Sequence, residues 1–414
     1  MTATTATLTR LRAWRPGGYL RASGVLFGWL ALRTVAQMAL FVLVARTLGA
    51  EGYGSLIAVM AIATLFAPLA GLGGQALLVR DGARNPEHLA THLGDALRLW
   101  AISVVPLSVA AFVACRLLVP PALPAYAVAA IVLADLAGAS LLELMARTWQ
   151  AHQRMAGFGA VMSGLILTRL AAFLMLTTLT VPNPAQWAVL YGAVSLGYTA
   201  LATWAAAMTF GRPVWSGDNL SALVRAGFPF AFAGGAMRVQ AEANKPILAR
   251  LDTLAGVGAF SAAQRVMDVV LLPVTAALDT LLPRAYRAQR PLYTVLRIGT
   301  GPLVLSIAGG GLLALSAPLL PALLGPSFAG IESLVRAFAL LPAAFVVRSL
   351  LTFALAARGG ERHFLLTYTV GALTSVVATA AWVPSLGLTG AIAAAYATEL
   401  SLIAVQGGLL VRRR

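Results

Sequence analysis

Apolar residues run along the chain in twelve stretches separated by short polar gaps: 25–45, 54–78, 99–119, 123–146, 158–181, 187–210, 227–248, 255–281, 298–320, 333–357, 364–383 and 387–411. Each has about the 20 residues that a helix needs to cross the hydrocarbon core of a bilayer. Lipid offers no water to exposed backbone groups, so a crossing segment satisfies its own hydrogen bonds as a helix. The pattern predicts an all-α polytopic membrane protein of twelve transmembrane helices, numbered here as spans 1 to 12.

The basic residues in the gaps predict orientation, because cytoplasmic loops collect arginine and lysine. One side receives Arg10, Arg12, Arg15, Arg21, Arg80, Arg84, Arg98, Arg147, Arg154, Arg212 and Arg225. The same side continues with Arg284, Arg287, Arg290, Arg297, Arg358, Arg362, Arg412, Arg413 and Arg414, making 20 in all. The other side has only Arg46 and Arg250. Both termini are therefore expected in the cytoplasm, with 1–24 a retained cytoplasmic segment and 412–414 a basic tail. The expected location is the inner, cytoplasmic membrane of a bacterium.

Composition agrees. The 414 residues are 59% hydrophobic and 11% charged, where a soluble globular chain carries roughly a quarter charged residues. That excludes a soluble domain, a disordered chain and a disulfide scaffold. The formal charge of +16 would suggest nucleic acid in a soluble protein, but its scatter among the loops marks topology, so no nucleic-acid partner is expected. The single cysteine, Cys115, lies in an apolar run and forms no intramolecular bridge.

The halves repeat. Ala45-Arg46, Gly52-x-Gly54 and Arg80 recur as Ala249-Arg250, Gly256-x-Gly258 and Arg284 at an offset of 204. Arg33 and Gln37 recur as Arg238 and Glu242 at an offset of 205. Six spans per repeat give both copies one orientation, related by an axis along the membrane normal. The expected organisation is an N-lobe at 25–210, a cytoplasmic linker at 211–226 and a C-lobe at 227–411, two pseudo-symmetric six-helix bundles around a central cavity.

Charges inside spans are costly, about 2.5–3.5 kcal/mol each at mid-bilayer, and normally face a cavity or a partner. Eight basic residues lie there (Arg33, Arg116, Arg169, Arg238, Lys245, Arg265, Arg336, Arg348) against six acidic ones (Asp135, Glu143, Glu242, Asp268, Asp279, Glu399), a surplus of +2. Span 7 is the densest. Arg238, Glu242 and Lys245 share one helical face, bracketed by Gly234-Gly235 and Pro246, and Pro246 frees the carbonyl of Glu242. Simple ion pairing is open to Arg238–Glu242 and Arg265–Asp268. The surplus and the matched positions point to a cationic cavity with Arg33, Gln37, Arg169, Arg238, Asn244, Lys245 and Arg265 as substrate-binding candidates. Glu242, Asp268 and Asp135 are the candidate ion-coupling carboxylates. Arg116 and Arg336 lie near span ends, where they can snorkel.

Enzymatic signatures are missing. Lys245, the lone lysine, follows Asn244, so no phosphate-binding Gly-Lys loop exists. Gly71-Leu-Gly73-Gly74-Gln-Ala76 imitates a dinucleotide fingerprint inside an apolar run, where close packing or a bend is the better reading. His88 and His92 lack the intervening glutamate of a metalloprotease helix. No enzyme, cofactor or metal is expected.

The stretch Leu43-Val-Ala-Arg-Thr-Leu-Gly-Ala-Glu-Gly-Tyr-Gly-Ser55, the later Gly71-Leu-Gly-Gly and Val79-Arg80 resemble the start of bacterial polysaccharide flippases. These are the O-antigen and exopolysaccharide exporters of the multidrug/oligosaccharidyl-lipid/polysaccharide superfamily. Gly256-Val-Gly-Ala-Phe-Ser-Ala-Ala263 followed by Pro283, and Val383-Pro-Ser-Leu-Gly-Leu-Thr-Gly-Ala-Ile-Ala-Ala-Ala395, extend the resemblance to the second half. It implies transfer of an oligosaccharide linked to undecaprenyl pyrophosphate from the cytoplasmic to the periplasmic leaflet by alternating access, with the head group in a basic cavity. Membrane lipid and the polysaccharide polymerase or ligase machinery are the further partners it suggests. Coupling to a proton or sodium gradient or to the membrane potential belongs to the same expectation, with Glu242 the first candidate. The chain lacks the two extra C-terminal helices of the peptidoglycan-precursor branch, which weighs against that substrate. A drug/cation antiporter of the same superfamily is disfavoured by a basic cavity. A membrane-embedded polymerase or ligase is disfavoured by short, nearly uncharged periplasmic connections.

Overall fold

The computed structural model describes residues 18–412 apart from 216, 218, 282–285, 287–290 and 359–362. Arg10, Arg12, Arg15, Arg284, Arg287, Arg290, Arg362, Arg413 and Arg414, all used above for orientation or the repeat, lie outside the described residues. Ten helices are long and apolar enough to cross a membrane, and two of them, Phe27–Leu69 and Phe364–Val411, are 43 and 48 residues long. Each of these two is a pair of spans folded at a glycine. Gly49 has φ 72° and Gly387 φ 55°, values open to glycine at little cost. Phe41 and Tyr53 would stand about 18 Å apart along a straight helix, yet their ring centroids are 5.6 Å apart. Gly371 and Leu402, on either side of Gly387, also meet. Ten helices with two doubled give the twelve expected crossings.

Spans 1 and 2 occupy Gly18–Phe66, and span 2 continues after a break as Gly74–Arg84. Spans 3 to 6 are Leu89–Leu118, Ala125–Ala151, Met155–Leu179 and Pro184–Phe210. Span 7 is Leu220–Glu242 plus Asn244–Leu251, and span 8 is Leu254–Asp279. Spans 9 and 10 are Thr300–Leu324 and Ile331–Ala357, and spans 11 and 12 fill Phe364–Arg412. Three boundaries differ most from the hydropathy reading, among them span 3, which begins at Leu89, ten residues before its apolar window. Span 1 begins at Gly18, inside the segment expected to precede it, and span 7 begins at Leu220, inside the expected linker, because amphipathic turns extend both helices past their apolar windows.

The break in span 2 is a real interruption, at the glycine run that imitates a nucleotide loop. Gly71, Leu72 and Gly73 all have positive φ. Non-helical backbone survives at membrane depth only where protein satisfies it. Here the Ser103 hydroxyl of span 3 accepts from the Gly71 N–H at 2.8 Å, and Gly73 lies against the Gly227 carbonyl of span 7.

The exterior is that of a lipid-facing protein. Leu117, Met208, Leu315 and Val411 are all well exposed, whereas Ser195, Thr199, Ser306 and Thr379 are buried. An apolar surface this extensive would be unstable in water.

The lobes meet through a reciprocal contact that follows the repeat. A Cβ on Gly54 would lie 1.8 Å from the Leu254 carbonyl, and one on Gly258 would lie 2.0 Å from the Ala50 carbonyl. Positions 50 and 54 plus 204 are 254 and 258, so each lobe presents the same carbonyl to the same glycine of the other. Around this seam a single apolar core joins residues 41–63 of the N-lobe to 248–267 and 313–341 of the C-lobe. Toward the basic end the remaining apolar clusters stay within one lobe: Val274, Leu278, Val346 and Leu350 in the C-lobe, Leu78, Leu93, Leu144 and Ala206 in the N-lobe. Arg46 reinforces the seam. Its Nη1 donates to the Ala322 and Leu323 carbonyls at 3.1 Å each, at the C-terminus of span 9, where a cation suits the helix dipole. The Ala50 N–H donates to Ser327 Oγ at 3.2 Å beside it. The lobes are therefore joined at this seam, and they meet again toward the basic end, where Gly73 of span 2 and Gly227 of span 7 approach backbone to backbone.

Gly54→Ala should force the seam apart and cost about 1–3 kcal/mol, the usual range for overpacking. Gly197→Ala, whose Cβ meets nothing within 4 Å, should leave stability unchanged. Thermal unfolding of the purified variants in detergent checks the pair, and equal stability would contradict the reciprocal contact.

Candidate functional site

A chamber of about 130 Å³ lies between the lobes just inside the seam. Gln37 and Phe41 of span 1, Tyr53 of span 2, Arg169 of span 5, Trp187 and Tyr191 of span 6 and Arg265 of span 8 line it. Three of the expected substrate-binding residues, Gln37, Arg169 and Arg265, thus converge on one cavity, and two guanidinium groups enter it from opposite lobes.

Their electrostatic situations differ. Arg169 is buried and fully engaged within the N-lobe. Its Nε donates to Ser195 Oγ at 2.9 Å, its Nη2 reaches Asp135 Oδ1 at 3.4 Å, and its guanidinium lies 3.9 Å from the Tyr191 ring centroid. The Tyr191 hydroxyl donates to the same carboxylate oxygen. Asp135 sits on a π-helical turn, Leu133–Gly138, that interrupts span 4; such turns recur at functional positions. Arg169 thus lines the chamber as a candidate while its charge is paired with that of Asp135, the candidate coupling carboxylate.

Arg265 has no such partner. Its guanidinium stacks 5.8 Å from the Phe41 ring centroid, and no carboxylate among the described residues lies within ion-pair distance of it. The Arg265–Asp268 pairing allowed by spacing does not form. Tyr53, the N-lobe group facing Arg265, is buried, and its hydroxyl finds no hydrogen-bond partner of good geometry.

Span 7 also departs from the simple spacing. Arg238–Glu242 pairing is replaced by Glu242–Lys245 at 2.5 Å, with both side chains largely buried. The helix restarts at Asn244 after Ala243, which re-aims Lys245 toward the carboxylate. Lys245 is therefore a compensated charge and Glu242 a paired one. Neither they nor Asn244, buried with its Oδ1 unpartnered, line the chamber. Asp268 lies within electrostatic reach of Lys245, Arg265 and Glu242.

Arg33 and Arg238, the matched pair of the repeat, also lie off the chamber wall, and neither forms an ion pair or hydrogen bond with a described residue. Arg33 is half-buried, one helical turn from Gln37 toward the basic end, and within electrostatic reach of Glu143 and Arg169. Among the other intramembrane charges, Arg348 pairs with Glu399 at 2.7 Å, binding span 10 to span 12, Arg336 pairs with Glu332 at 3.5 Å, and Arg116 donates to the Leu123 carbonyl at 3.4 Å. Three guanidinium groups thus remain uncompensated by a direct partner: Arg33, Arg238 and Arg265. Sequence reasoning missed the aromatic wall. Its signal was present in Trp187-x₃-Tyr191-x₃-Ser195, polar-edged side chains at every fourth position, one face of span 6.

Breaking a buried ion pair from one side costs about 3–5 kcal/mol, while replacing both members by apolar groups is often neutral. Asp135→Leu and Arg169→Met should each lower the amount of folded protein, and the double variant should restore it. Fluorescence-detected size-exclusion yields check this, and a double variant worse than either single would refute the pairing.

A family model described as polysaccharide biosynthesis protein matches residues 20–289. No curated protein matches at the same level. Among solved structures, the lipid II flippase MurJ in an inward closed conformation aligns with a TM-score of 0.73 at 12% identity, over 93% of this chain and 87% of that one. An inward-facing multidrug resistance MATE family transporter of the MOP superfamily aligns at 0.71 and 16% identity, over 92% and 94%. An outward-facing MATE family transporter of that superfamily aligns at 0.63 and 16% identity, over 95% and 94%. The fold is shared with these transporters, and with the family model spanning well over half of the sequence, the chain belongs to the polysaccharide biosynthesis protein family.

Proposed function

We propose that the protein is a flippase that carries an oligosaccharide linked to undecaprenyl pyrophosphate from the cytoplasmic to the periplasmic leaflet for polysaccharide assembly. The observation that carries this reading is Arg265, a half-buried C-lobe guanidinium without a carboxylate within ion-pair distance among the described residues, at the edge of a chamber otherwise lined by the N-lobe. A guanidinium held in low dielectric attracts an anion strongly, and its fork binds two phosphate oxygens together. Arg33 and Arg238, unpaired and nearer the basic end, form the approach that draws the head group inward, while the polyprenyl tail stays in lipid between the lobes.

Two pseudo-symmetric lobes that meet at a small-residue seam beside the chamber are the parts that alternating access would move. Location in the bacterial inner membrane with both termini cytoplasmic belongs to this reading. A cation antiporter would need a free carboxylate at the chamber, and the Asp135 carboxylate there is taken by Arg169 and Tyr191.

A hydrogen bond to a charged group contributes about 1.5–3 kcal/mol. Arg33→Ala, Arg238→Ala and Arg265→Ala, at unchanged protein level, should each reduce export at least tenfold. Surface glycan should disappear and lipid-linked repeat units should accumulate on the cytoplasmic face. Immunoblots of surface glycan with leaflet-specific detection of the lipid intermediate check this; normal export in all three would remove the chamber's role.

A further inference from the structure

The chamber holds a second feature, outside the charge accounting. Tyr53 begins span 2 next to Gly54, so the seam itself fixes its backbone, and Arg265 lies seven residues beyond Gly258 on the same face of span 8. The seam therefore sets an N-lobe phenol against a C-lobe guanidinium. At its inner edge Tyr53 is buried and Arg265 half-buried. The Tyr53 ring is held between Phe41 at 5.6 Å and Phe328 at 6.4 Å, so the hydroxyl can turn about its C–O bond while the ring stays in place. That hydroxyl is left without a well-formed hydrogen bond, and the guanidinium has no acceptor other than a hydroxyl that is itself a donor. An orphaned buried hydroxyl carries an unrecovered desolvation cost, so its retention beside an uncompensated cation marks a site built for an acceptor that arrives from outside.

We propose that Tyr53 and Arg265 form a two-lobe phosphate clamp, in which an incoming diphosphate accepts from both the phenol and the guanidinium. This rests on the flippase reading and extends it. The clamp assigns part of head-group recognition to a neutral residue of the lobe opposite the arginine, so that one phosphate ties span 2 to span 8. Tyr53 is then a binding residue specific for a phosphoryl oxygen, indifferent to the sugar that follows.

The test uses the full chain in lipid nanodiscs, titrated with farnesyl diphosphate, farnesyl monophosphate and inorganic pyrophosphate while the heat of binding is followed by calorimetry. Wild type should bind the diphosphate. Tyr53→Phe should bind it roughly tenfold more weakly, and Arg265→Lys should weaken it at least as much. The double variant should fall short of the product of the two losses, because both donors serve one ligand. Tyr53→Phe should melt at or above the wild-type temperature, since it removes an orphaned hydroxyl and keeps the ring. Pyrophosphate binding with the same tyrosine dependence would show that the head group suffices. Wild-type affinity in Tyr53→Phe, or a melting temperature several degrees lower, would overturn the clamp alone. Failure of wild type to bind any prenyl phosphate would overturn the flippase reading with it.

Discussion

Two backbones touch at one level of the membrane, and the rest of the molecule is arranged around that contact. The Gly54–Leu254 and Gly258–Ala50 approaches need both glycines, because any side chain there would occupy the opposing carbonyl. Lipid tails are as apolar as leucine, so helices in a bilayer gain little from burying apolar surface against each other and rely on close packing instead. A seam of small residues is thus the interface that a membrane can stabilise. Because the repeat supplies it twice, at positions 204 apart, it has the self-complementarity of a two-fold interface within one chain. Everything beyond it radiates outward: the shared core around it, the chamber immediately inside, and two lobes free of common apolar clusters farther on.

Charge pairing sorts the intramembrane residues into two kinds. Arg169 with Asp135, Lys245 with Glu242 and Arg348 with Glu399 are compensated within a lobe. Each pair fixes neighbouring helices or a helix break and adds no net field. Arg33, Arg238 and Arg265 are left without direct partners. At about 2.5–3.5 kcal/mol per unpaired charge, three of them would cost on the order of 10 kcal/mol, comparable to the whole stability of a typical fold. A fold tolerates that only when water or a ligand solvates them.

The architecture was legible because bilayer thickness and backbone satisfaction leave a sequence few options. Twelve apolar windows became twelve spans, and the glycine-based offset became the seam. The site was legible in part. Gln37, Arg169 and Arg265 reach one chamber, as expected from polar residues on inward faces. Lys245 and Asn244 do not, and Lys245 instead pairs with Glu242 one turn earlier. The pairing of Arg169 was hidden because Asp135 and Tyr191 lie 34 and 22 positions away on other spans, and spacing rules see only neighbours on one helix. Tyr53 was concealed inside a glycine motif that reads as a turn.

The repeat is also broken where function needs a direction. Arg46 and Arg250 are equivalent, yet only Arg46 finds helix-end carbonyls in the opposite lobe, at Ala322 and Leu323. The groups that shape its receptor are Gly325 and Ser327; the positions 204 residues earlier are Pro121 and Leu123. Proline there cannot adopt the positive φ of Gly325, 99°, and leucine has no hydroxyl to accept the N–H that Ser327 receives from Ala50. The symmetric glycine contact therefore carries a one-sided clasp. A perfectly duplicated seam would hinge equally on both flanks, whereas this one is tied along spans 1 and 9 and lacks the matching tie between spans 7 and 3.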